Sequence, residues 1–166
     1  MRRLRDYQNK RDFNKTKEPA GVRSRTGTQA TFVIQQHSAR RLHWDFRLSV
    51  NGVLKSWAVT KEPSLDPAVR RLAVETEDHP LEYAKFHGDI PPGQYGAGQV
   101  LIWDHGTYSS ELPLTEAIDR GKIKVFLHGR KLKGTFILIR MQTDGSRPAQ
   151  WLFFKAKPEA IGLLSN

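Results

Sequence analysis

Apolar and polar residues alternate along much of this chain, as they do in strands that bury one face. In the clearest run, Trp44, Phe46 and Leu48 alternate with the polar residues His43, Asp45 and Arg47. A second extended segment, Thr31–Gln36, comes just before it, with Phe32 and Ile34 expected to point inward, and the short link Ser38–Leu42 joins the two. The pattern predicts two neighbouring strands with one apolar face and one face of functional groups.

Turn signals divide the rest of the chain into short strands. Asn51-Gly52 is the dipeptide that a two-residue type I′ hairpin turn prefers. The strands predicted after this turn are Val53–Val59, Arg71–Thr76, Gln99–Asp104, Lys122–Leu127, Thr135–Met141 and Trp151–Ala156. We expect Glu77–Pro80 to end the second of them and His105–Gly106 to end the third.

Helical signals are few and short. Arg2–Lys10 is compatible with one or two turns inside a basic arm, residues 1–27, that we expect to lie across the surface. Leu114–Gly121 is the best helix candidate, with Thr115 as its predicted N-cap. Short strands at regular spacing predict a mainly β fold, either a barrel or a sandwich. We treat residues 1–166 as a single domain that ends in a short tail, residues 158–166.

Charge and composition narrow the class of partner. The chain has 166 residues with 27 Lys and Arg against 17 Asp and Glu, a formal net charge of +10. Such a charge favours a nucleic acid, because binding releases the counterions of the phosphates. The absence of cysteine excludes disulfides, zinc–thiolate sites and thiol nucleophiles. No apolar run is long enough to span a bilayer and no secretory signal is present, so we expect a cytoplasmic protein and no membrane partner.

Candidate chemistry lies on the polar face of the first two strands. His37, His43 and Asp45 would converge there, and two imidazoles with one carboxylate suit Mn²⁺, Zn²⁺ or Fe²⁺ better than Ca²⁺ or Mg²⁺. Three protein ligands leave coordination positions open, as catalytic sites require. Arg47, on the same face, can hold a phosphate through parallel hydrogen bonds. The plain alternative is the solvated face of an ordinary strand.

Longer stretches resemble a known family. They are RDFNKTKEPAG (Arg11–Gly21), FVIQQHSARRLHWDFRL (Phe32–Leu48), GVLKSWAVTKEPSLDP (Gly52–Pro67), RRLAVETEDHPLEYAKFHGDIPPGQYGAG (Arg70–Gly98), IWDHGTY (Ile102–Tyr108), LHGRKLKG and FILIRM. From about Tyr7 to Lys157 the chain is similar to the 3′-phosphoesterase domain of bacterial DNA ligase D and to its free-standing relatives.

The resemblance implies a fold, a metal and an activity. The implied fold is a small closed β-barrel of about eight strands with short flanking helices and a groove on its outside. The implied activity uses Mn²⁺ at DNA 3′ ends during end joining. A phosphodiesterase step removes a terminal ribonucleoside, and a phosphomonoesterase step removes the remaining 3′-phosphate. Separate ligase, polymerase and end-binding proteins would be partners, since no Lys-x-Asp-Gly ligase motif is present.

The resemblance also implies site residues. The positions that match the metal ligands are His37, His43 and Asp45, and those that match the residues holding the scissile phosphate are Arg47 and His79. Tyr83 matches a tyrosine needed for activity. The positions that match the polar groove are Gln35, Lys61 and Arg71, and those that match residues of the phosphomonoesterase step are Arg11, Asp12, Glu18 and Glu77. A water attacks phosphorus, and the group that takes its proton stays open between a metal-bound hydroxide and a carboxylate such as Asp12. Tyr83 or Gln35 would contact the 2′-hydroxyl, and Lys131–Lys133 would grip the DNA backbone.

Two other function classes fit part of the pattern. A non-catalytic, basic nucleic-acid-binding module would explain the charge, but it has no reason to bind Mn²⁺ stoichiometrically. A cupin-type barrel enzyme acting on a small molecule would explain the metal ligands, but the net charge of +10 disfavours it. His87, His105 and His128 have no matching role and are expected at the surface.

Overall fold

Strands dominate the structure, which is a computed structural model that describes residues 4–21, 29–142, 145 and 148–158. The strands are β1 (Thr31–Ser38), β2 (Leu42–Val50), β3 (Val53–Val59), β4 (Arg71–Pro80), β5 (Gly88–Ile90), β6 (Gly98–Ser109), β7 (Lys122–His128), β8 (Lys133–Arg140) and β9 (Gln150–Lys155). Helical segments are α1 (Arg5–Asn9), a 3₁₀ helix (Leu81–Lys85) and α2 (Leu114–Arg120).

Among the described residues, eight strands close into an antiparallel barrel. Their order around the ring is β1, β2, β3, β4, β9, β8, β7 and β6, and β6 pairs with β1 to complete it. The short strand β5 lies outside the ring, paired with β6. The predicted mainly β fold, a small closed barrel of about eight strands with short flanking helices, is confirmed.

The seam between β1 and β6 requires a close backbone approach. The register shifts between Ile34 and Gln35, where β6 carries one extra residue. At the end of the seam Gly98 has a φ of +140°, and a Cβ there would lie 2.1 Å from the carbonyl oxygen of Ser38. Only glycine fits this position, and the bulge adds the local twist that helps the strands to close the ring.

Large side chains fill the inside of the barrel. The Phe46 and Phe153 rings lie 4.8 Å apart, and Trp57 packs edge-on against Trp151 at 5.7 Å. The residues predicted to face inward from the first two strands all belong to this core: Phe32, Ile34, Trp44, Phe46 and Leu48. The inward face predicted from the alternation is confirmed.

The described part of the predicted N-terminal arm packs firmly against the outside of the barrel. Leu4 and Tyr7 have no exposed surface, and Tyr7 joins Leu54 and Tyr83 in a second apolar cluster. Residues 4–21 thus lie across the outside of the barrel and bury apolar side chains there. Residues 1–3, 22–28 and 159–166 lie outside the described residues, so the arm and tail boundaries and the single-domain assignment stay predictions.

Two predicted strand ends are wrong. β4 continues through Glu77–Pro80, because β3 supplies backbone partners as far as Pro80. β6 continues through His105–Gly106, which pair with β1. Pairing with a neighbouring strand thus overrides the local turn signal. The Asn51-Gly52 turn is confirmed, since φ is +47° at Asn51 and +83° at Gly52, as a type I′ turn requires.

The helical segments are short, and within the described residues none is long and apolar enough to cross a membrane. α2 follows Pro113, which occupies the N-cap position without a side-chain capping bond. The predicted cap, Thr115, is wrong because Thr115 lies inside the helix. Gly121 ends α2 in the left-handed conformation, with φ of +77°, as glycine commonly does at this position.

A buried carboxylate holds the loop between β7 and β8. Asp104 is 2% exposed and accepts hydrogen bonds from the backbone N–H groups of Arg130 at 2.8 Å, Lys131 at 3.2 Å and Leu132 at 2.8 Å. It also accepts one from the backbone of His105 at 2.9 Å. The carboxylate therefore serves as the acceptor for a loop that has no strand partner.

Replacing Asp104 by alanine is expected to lower the free energy of unfolding by about 3 kcal/mol, because several backbone donors lose their acceptor. Urea unfolding followed by circular dichroism measures this. The control is Asp119→Ala at an exposed position of α2, for which a change within about 0.5 kcal/mol is expected. Equal stability of the two variants would show that the loop keeps its shape without the carboxylate.

Candidate active site

The three predicted metal ligands meet on the outer face of the β1–β2 hairpin. The backbone register places His37 opposite His43, and their rings lie 4.7 Å apart. Oδ2 of Asp45 lies 3.5 Å from Nδ1 of His37 and 3.3 Å from Nε2 of His43. The nearest ligand atoms of all three residues lie within 4.8 Å of one another, which is close enough for one ion to contact all three.

Hydrogen bonds to the backbone orient both imidazoles. Nε2 of His37 lies 2.6 Å from the carbonyl oxygen of Gly96, and Nδ1 of His43 lies 2.9 Å from that of Arg41. A carbonyl only accepts, so each of these nitrogens carries the proton and, in the neutral ring, the other nitrogen carries a lone pair. Both lone pairs then face the Asp45 carboxylate. This donor set fits a divalent transition metal, with a backbone contact behind each imidazole ligand.

Electrostatics keep the carboxylate ionised. Burial alone would raise the pKa of Asp45, but the charge of Arg47, together with hydrogen bonds from His37 and His43 when these rings carry a second proton, holds it well below its usual range. Burial would lower the pKa of His43, and the hydrogen bond and charge of Asp45 outweigh that effect and raise it. Two imidazoles around an ionised carboxylate therefore attract a positive charge, which a proton or a metal ion can supply.

Arg47 is held rigidly beside the three ligands. Its side chain is 4% exposed, Nη2 lies 3.5 Å from Oδ2 of Asp45, and Nη1 donates to Oγ of Ser56 at 2.9 Å. Nε donates to Oε1 of Gln35 at 2.7 Å. The guanidinium lies over the ring of Tyr83, 4.8 Å from its centroid. These contacts fix the plane of the guanidinium while its remaining N–H groups border a cavity.

The buried side chain of Gln35 lies beneath the cavity and contacts both Arg47 and the end of the 3₁₀ helix. It has no exposed surface, and its amide nitrogen donates to the carbonyl oxygens of Tyr83 at 2.7 Å and Phe86 at 3.0 Å. The amide oxygen accepts from Arg47. Both N–H groups of the amide and one lone pair of its oxygen are thus engaged inside the protein, and the predicted contact of Gln35 with a 2′-hydroxyl stays a prediction. Gln35 therefore positions Arg47 and the 3₁₀ helix.

His79 reaches the same cavity from the end of β4. Nδ1 lies 2.9 Å from the carbonyl oxygen of Glu77, to which it donates. Burial and the nearby charges of Arg47 and Arg11 lower the pKa of His79 well below its ordinary value. The ring is therefore neutral, with its lone pair at Nε2. The rings of His79, at the end of β4, and Tyr83, in the 3₁₀ helix that follows, lie 4.7 Å apart.

A second layer of charge comes from the N-terminal segment. Glu18 is 3% exposed, and its Oε2 accepts from Nε of Arg11 at 2.9 Å and from the hydroxyl of Tyr83 at 2.8 Å. Thr16 donates to the other oxygen at 3.0 Å. Nη1 of Arg11 also lies 3.3 Å from Oε2 of Glu77. Burial raises the pKa of Tyr83, so its hydroxyl remains a donor to Glu18.

These groups surround a cavity of about 310 Å³. The predicted site residues that line it are Arg11, His37, His43, Asp45, Arg47, Glu77, His79 and Tyr83. Glu18 and Gln35 lie in the layer beneath. The structure thus brings together ten of the predicted residues in two layers, eight on the cavity wall and two behind it.

Three predicted residues lie elsewhere. Lys61 is exposed at the start of the loop after β3. Arg71 donates from Nε to the carbonyl oxygen of Glu62 at 2.7 Å. Asp12 is exposed and accepts from the backbone N–H of Asn14 at 3.0 Å, as Asp does in a turn. None of the three lines the cavity, so their roles in binding or catalysis stay predictions.

Sequence reasoning missed several residues of the site. Ser56 is fully buried and accepts from Arg47, while Thr76 and Tyr95 line the cavity. The ring of Tyr7 lies 4.9 Å from that of His79 and 3.9 Å from Cζ of Arg11. Ser56, Thr76 and Tyr95 lie in stretches that carry the resemblance and Tyr7 precedes the first of them, but only the folded chain brings these residues to the same place.

Comparison with known proteins gives matches over nearly the whole chain. The family model for the DNA ligase D 3′-phosphoesterase domain matches residues 35–140. The multifunctional non-homologous end joining protein LigD of Pseudomonas aeruginosa is 48% identical over 156 residues, 93% of this chain and 18% of that protein. LigD of Mycobacterium tuberculosis strain H37Rv is 49% identical over 156 residues, 93% of this chain and 20% of that protein. The chain spans about a fifth of the length of these relatives.

Proposed function

Since this chain belongs to the DNA ligase D 3′-phosphoesterase domain family, we propose that it is a metal-dependent enzyme that repairs DNA 3′ ends for end joining. It removes a 3′-terminal ribonucleoside as a phosphodiesterase and then the 3′-phosphate as a phosphomonoesterase, which leaves a 3′-hydroxyl. Its metal is Mn²⁺. DNA ends are its substrate, and separate ligase, polymerase and end-binding proteins are its proposed partners.

One observation carries this proposal. A buried guanidinium, Arg47, is fixed by hydrogen bonds next to two imidazoles and a carboxylate on the wall of one cavity. A metal site beside a rigid guanidinium suits a tetrahedral anion, because both can neutralise charge on the same phosphoryl group. A binding module without catalysis does not need this arrangement.

His37, His43 and Asp45 would hold the metal ion, which supplies Lewis-acid stabilisation of charge on a phosphoryl oxygen when it is bound. Arg47 donates hydrogen bonds from its free N–H groups to non-bridging oxygens of the same phosphoryl group. Burial strengthens these bonds, since little water competes with them. Because Gln35 and Ser56 hold the guanidinium in advance, little reorganisation is needed as negative charge grows in the transition state.

His79 holds a proton at a defined atom. Its Nδ1–H is committed to the carbonyl oxygen of Glu77, so Nε2 is the atom that can accept a proton. A bound phosphate anion next to the ring stabilises the imidazolium, which then donates from Nε2 to a phosphoryl oxygen. Tyr83 supports this ring by edge contact and is itself anchored to Glu18.

The positive surface supplies affinity for the DNA backbone. The chain carries a net charge of +10, and Lys131 lies over the ring of Trp103, 4.4 Å from its centroid, on the loop that Asp104 holds. Contacts of this kind neutralise phosphates without reading sequence. Binding should therefore be insensitive to sequence and should weaken as salt concentration rises.

The activity is tested with two primer-templates, one ending in a single ribonucleotide and one ending in a 3′-phosphate. With Mn²⁺, the first is expected to lose its terminal nucleoside and then the phosphate, and the second to become a 3′-hydroxyl end. A primer of the same sequence that already ends in a deoxynucleotide 3′-hydroxyl is the control and should remain unchanged. Failure of folded protein to alter either substrate with any divalent metal would contradict the proposed function.

A further inference from the structure

An exposed aromatic ring stands at the edge of the active-site cavity. Tyr95 is 49% exposed and lines the cavity in the turn between β5 and β6. The next residue, Gly96, accepts the hydrogen bond from Nε2 of the metal ligand His37. The ring is therefore tied through one residue of backbone to the wall that holds the metal ligands.

Two cations lie against this ring. Nζ of Lys10 lies 4.8 Å from the centroid of Tyr95, and Cζ of Arg11 lies 5.3 Å from it. Lys10 is held in turn by Glu77, with Nζ 3.1 Å from Oε1. The cations pack on the ring and so limit its movement, while nearly half of its surface stays open to solvent. A supported, open aromatic surface beside a phosphate site suits the stacking of a nucleobase.

The cavity is larger than one phosphate group needs. Beyond the charged wall it is bordered by the apolar side chains of Ala39 and Ile90 and by the ring of Tyr95. A duplex cannot enter a volume of about 310 Å³, so the DNA must approach from outside. With the scissile phosphate at the charged wall, the nucleoside on its 3′ side can occupy the remaining space.

We propose that Tyr95 stacks on the base of the 3′-terminal ribonucleoside and so acts as a specificity-determining residue for the phosphodiesterase step. This inference rests on the proposed function. Hydrolysis breaks the bond between phosphorus and O5′ of the terminal nucleoside and forms a bond from phosphorus to the water oxygen. The nucleoside leaves with a protonated O5′, and the penultimate nucleotide keeps a 3′-phosphate.

The consequence is a difference between the two steps. In the phosphodiesterase step a base lies beyond the scissile phosphate and can stack on the ring. In the phosphomonoesterase step no base lies beyond the phosphate, so the ring has no partner. Stacking should depend little on which base is present, since every base offers an aromatic face. Tyr95 should therefore promote the first step and leave the second unchanged.

The test measures both steps for Tyr95→Ala with the two primer-templates, one ending in a ribonucleotide and one in a 3′-phosphate. For the ribonucleotide end, KM is expected to rise about tenfold or more, as loss of one base–aromatic stack predicts. For the 3′-phosphate end, both kcat and KM should stay within about twofold, since Tyr95 touches no group of that substrate and Arg11 remains held by Glu18 and Glu77 when the ring is removed. Tyr95→Trp should restore the first step, and Phe126→Ala, which removes an exposed aromatic residue outside the cavity, should change neither step.

A second experiment removes the terminal base from the substrate and so measures the contribution of base stacking to binding. A primer that ends in a ribose without a base should bind the wild type about tenfold more weakly than the normal ribonucleotide end. The Tyr95→Ala variant should bind the two ends equally, because it lacks the stacking partner. Equilibrium binding by fluorescence anisotropy measures this without turnover.

Three results would overturn the inference. They are equal loss of both steps in Tyr95→Ala, unchanged kinetics of the phosphodiesterase step, and equal binding of base-containing and abasic ends by the wild type. Inactivity of the wild type on both substrates is a different result. It contradicts the proposed function, while the binding comparison still decides whether Tyr95 contacts the terminal base.

Discussion

Replacing His37 by alanine is expected to abolish both esterase steps in a protein that still folds. His37 supplies one of three converging ligand atoms, and its ring lies on the outer face of β1, away from the barrel core. A bound metal contributes several kcal/mol of transition-state stabilisation, which corresponds to a loss of about a thousandfold or more in rate. Both steps act on a phosphoryl group at the same place, so both should fall together.

The matched control for this variant is His105→Ala. His105 is an exposed histidine on the barrel wall, in β6, and does not line the cavity. Kinetics with the ribonucleotide-terminated and phosphate-terminated primers should match those of the wild type in this control. Full activity of His37→Ala at saturating Mn²⁺ would show that His37 is not a ligand, and equal loss in both variants would point to a general effect of losing a histidine.

Replacing Arg47 by lysine is expected to lower kcat/KM of both steps by about a hundredfold or more, although the positive charge is kept. The guanidinium makes three directional contacts, to Gln35, Ser56 and Asp45, and an ammonium cannot make them while also holding two phosphoryl oxygens. A rigid donor aimed at developing charge contributes about 10²- to 10³-fold in comparable sites. Steady-state kinetics on both primers measure the loss.

Arg120→Lys is the control for this second variant, because Arg120 lies on α2 in an exposed ion pair with Glu116, 2.6 Å apart. It should keep wild-type kinetics. Circular dichroism and urea unfolding of Arg47→Lys will separate loss of structure from loss of chemistry. Near-normal activity of Arg47→Lys would mean that charge alone suffices at this position, contrary to a role in directional phosphate binding.

The central hairpin could be predicted from sequence because its determinants are local. Period-two alternation fixed which side chains of Trp44–Leu48 face the core, and Asn51-Gly52 fixed the turn that follows. Once the faces are known, His37, His43 and Asp45 must share the outer one. The metal site could therefore be predicted without knowing the rest of the fold. The pairing register that places His37 opposite His43 could not.

The remainder of the site depends on contacts between distant segments. His79 has the sequence context of a turn, yet β3 pairs with that segment and keeps it in a strand. Glu18 is an acid in a basic segment, and only the packing of residues 4–21 against the barrel brings it to Arg11 and Tyr83. No local pattern reports such contacts. Tyr95 and Gly96 lie in a stretch rich in proline and glycine, Pro91–Gly98, whose composition indicates only a turn.

The resemblance supplied residues that local patterns did not, but it did not supply their positions. It implied roles for Gln35 and Glu18, and the structure places both beneath the cavity as supports for Arg47, Arg11 and Tyr83. It also implied roles for Lys61, Arg71 and Asp12, which lie off the cavity wall. Their roles in binding or catalysis therefore stay predictions.

The central claim is that His37, His43 and Asp45 together hold one catalytic metal ion. Isothermal titration of metal-free protein with Mn²⁺, compared with the His37→Ala variant under identical conditions, tests it most directly. We expect the wild type to bind one Mn²⁺ per chain, and the variant to lose that binding while His105→Ala retains it. Equal binding by the wild type and His37→Ala, or no binding by either, would contradict the claim and favour a basic nucleic-acid-binding module without catalysis.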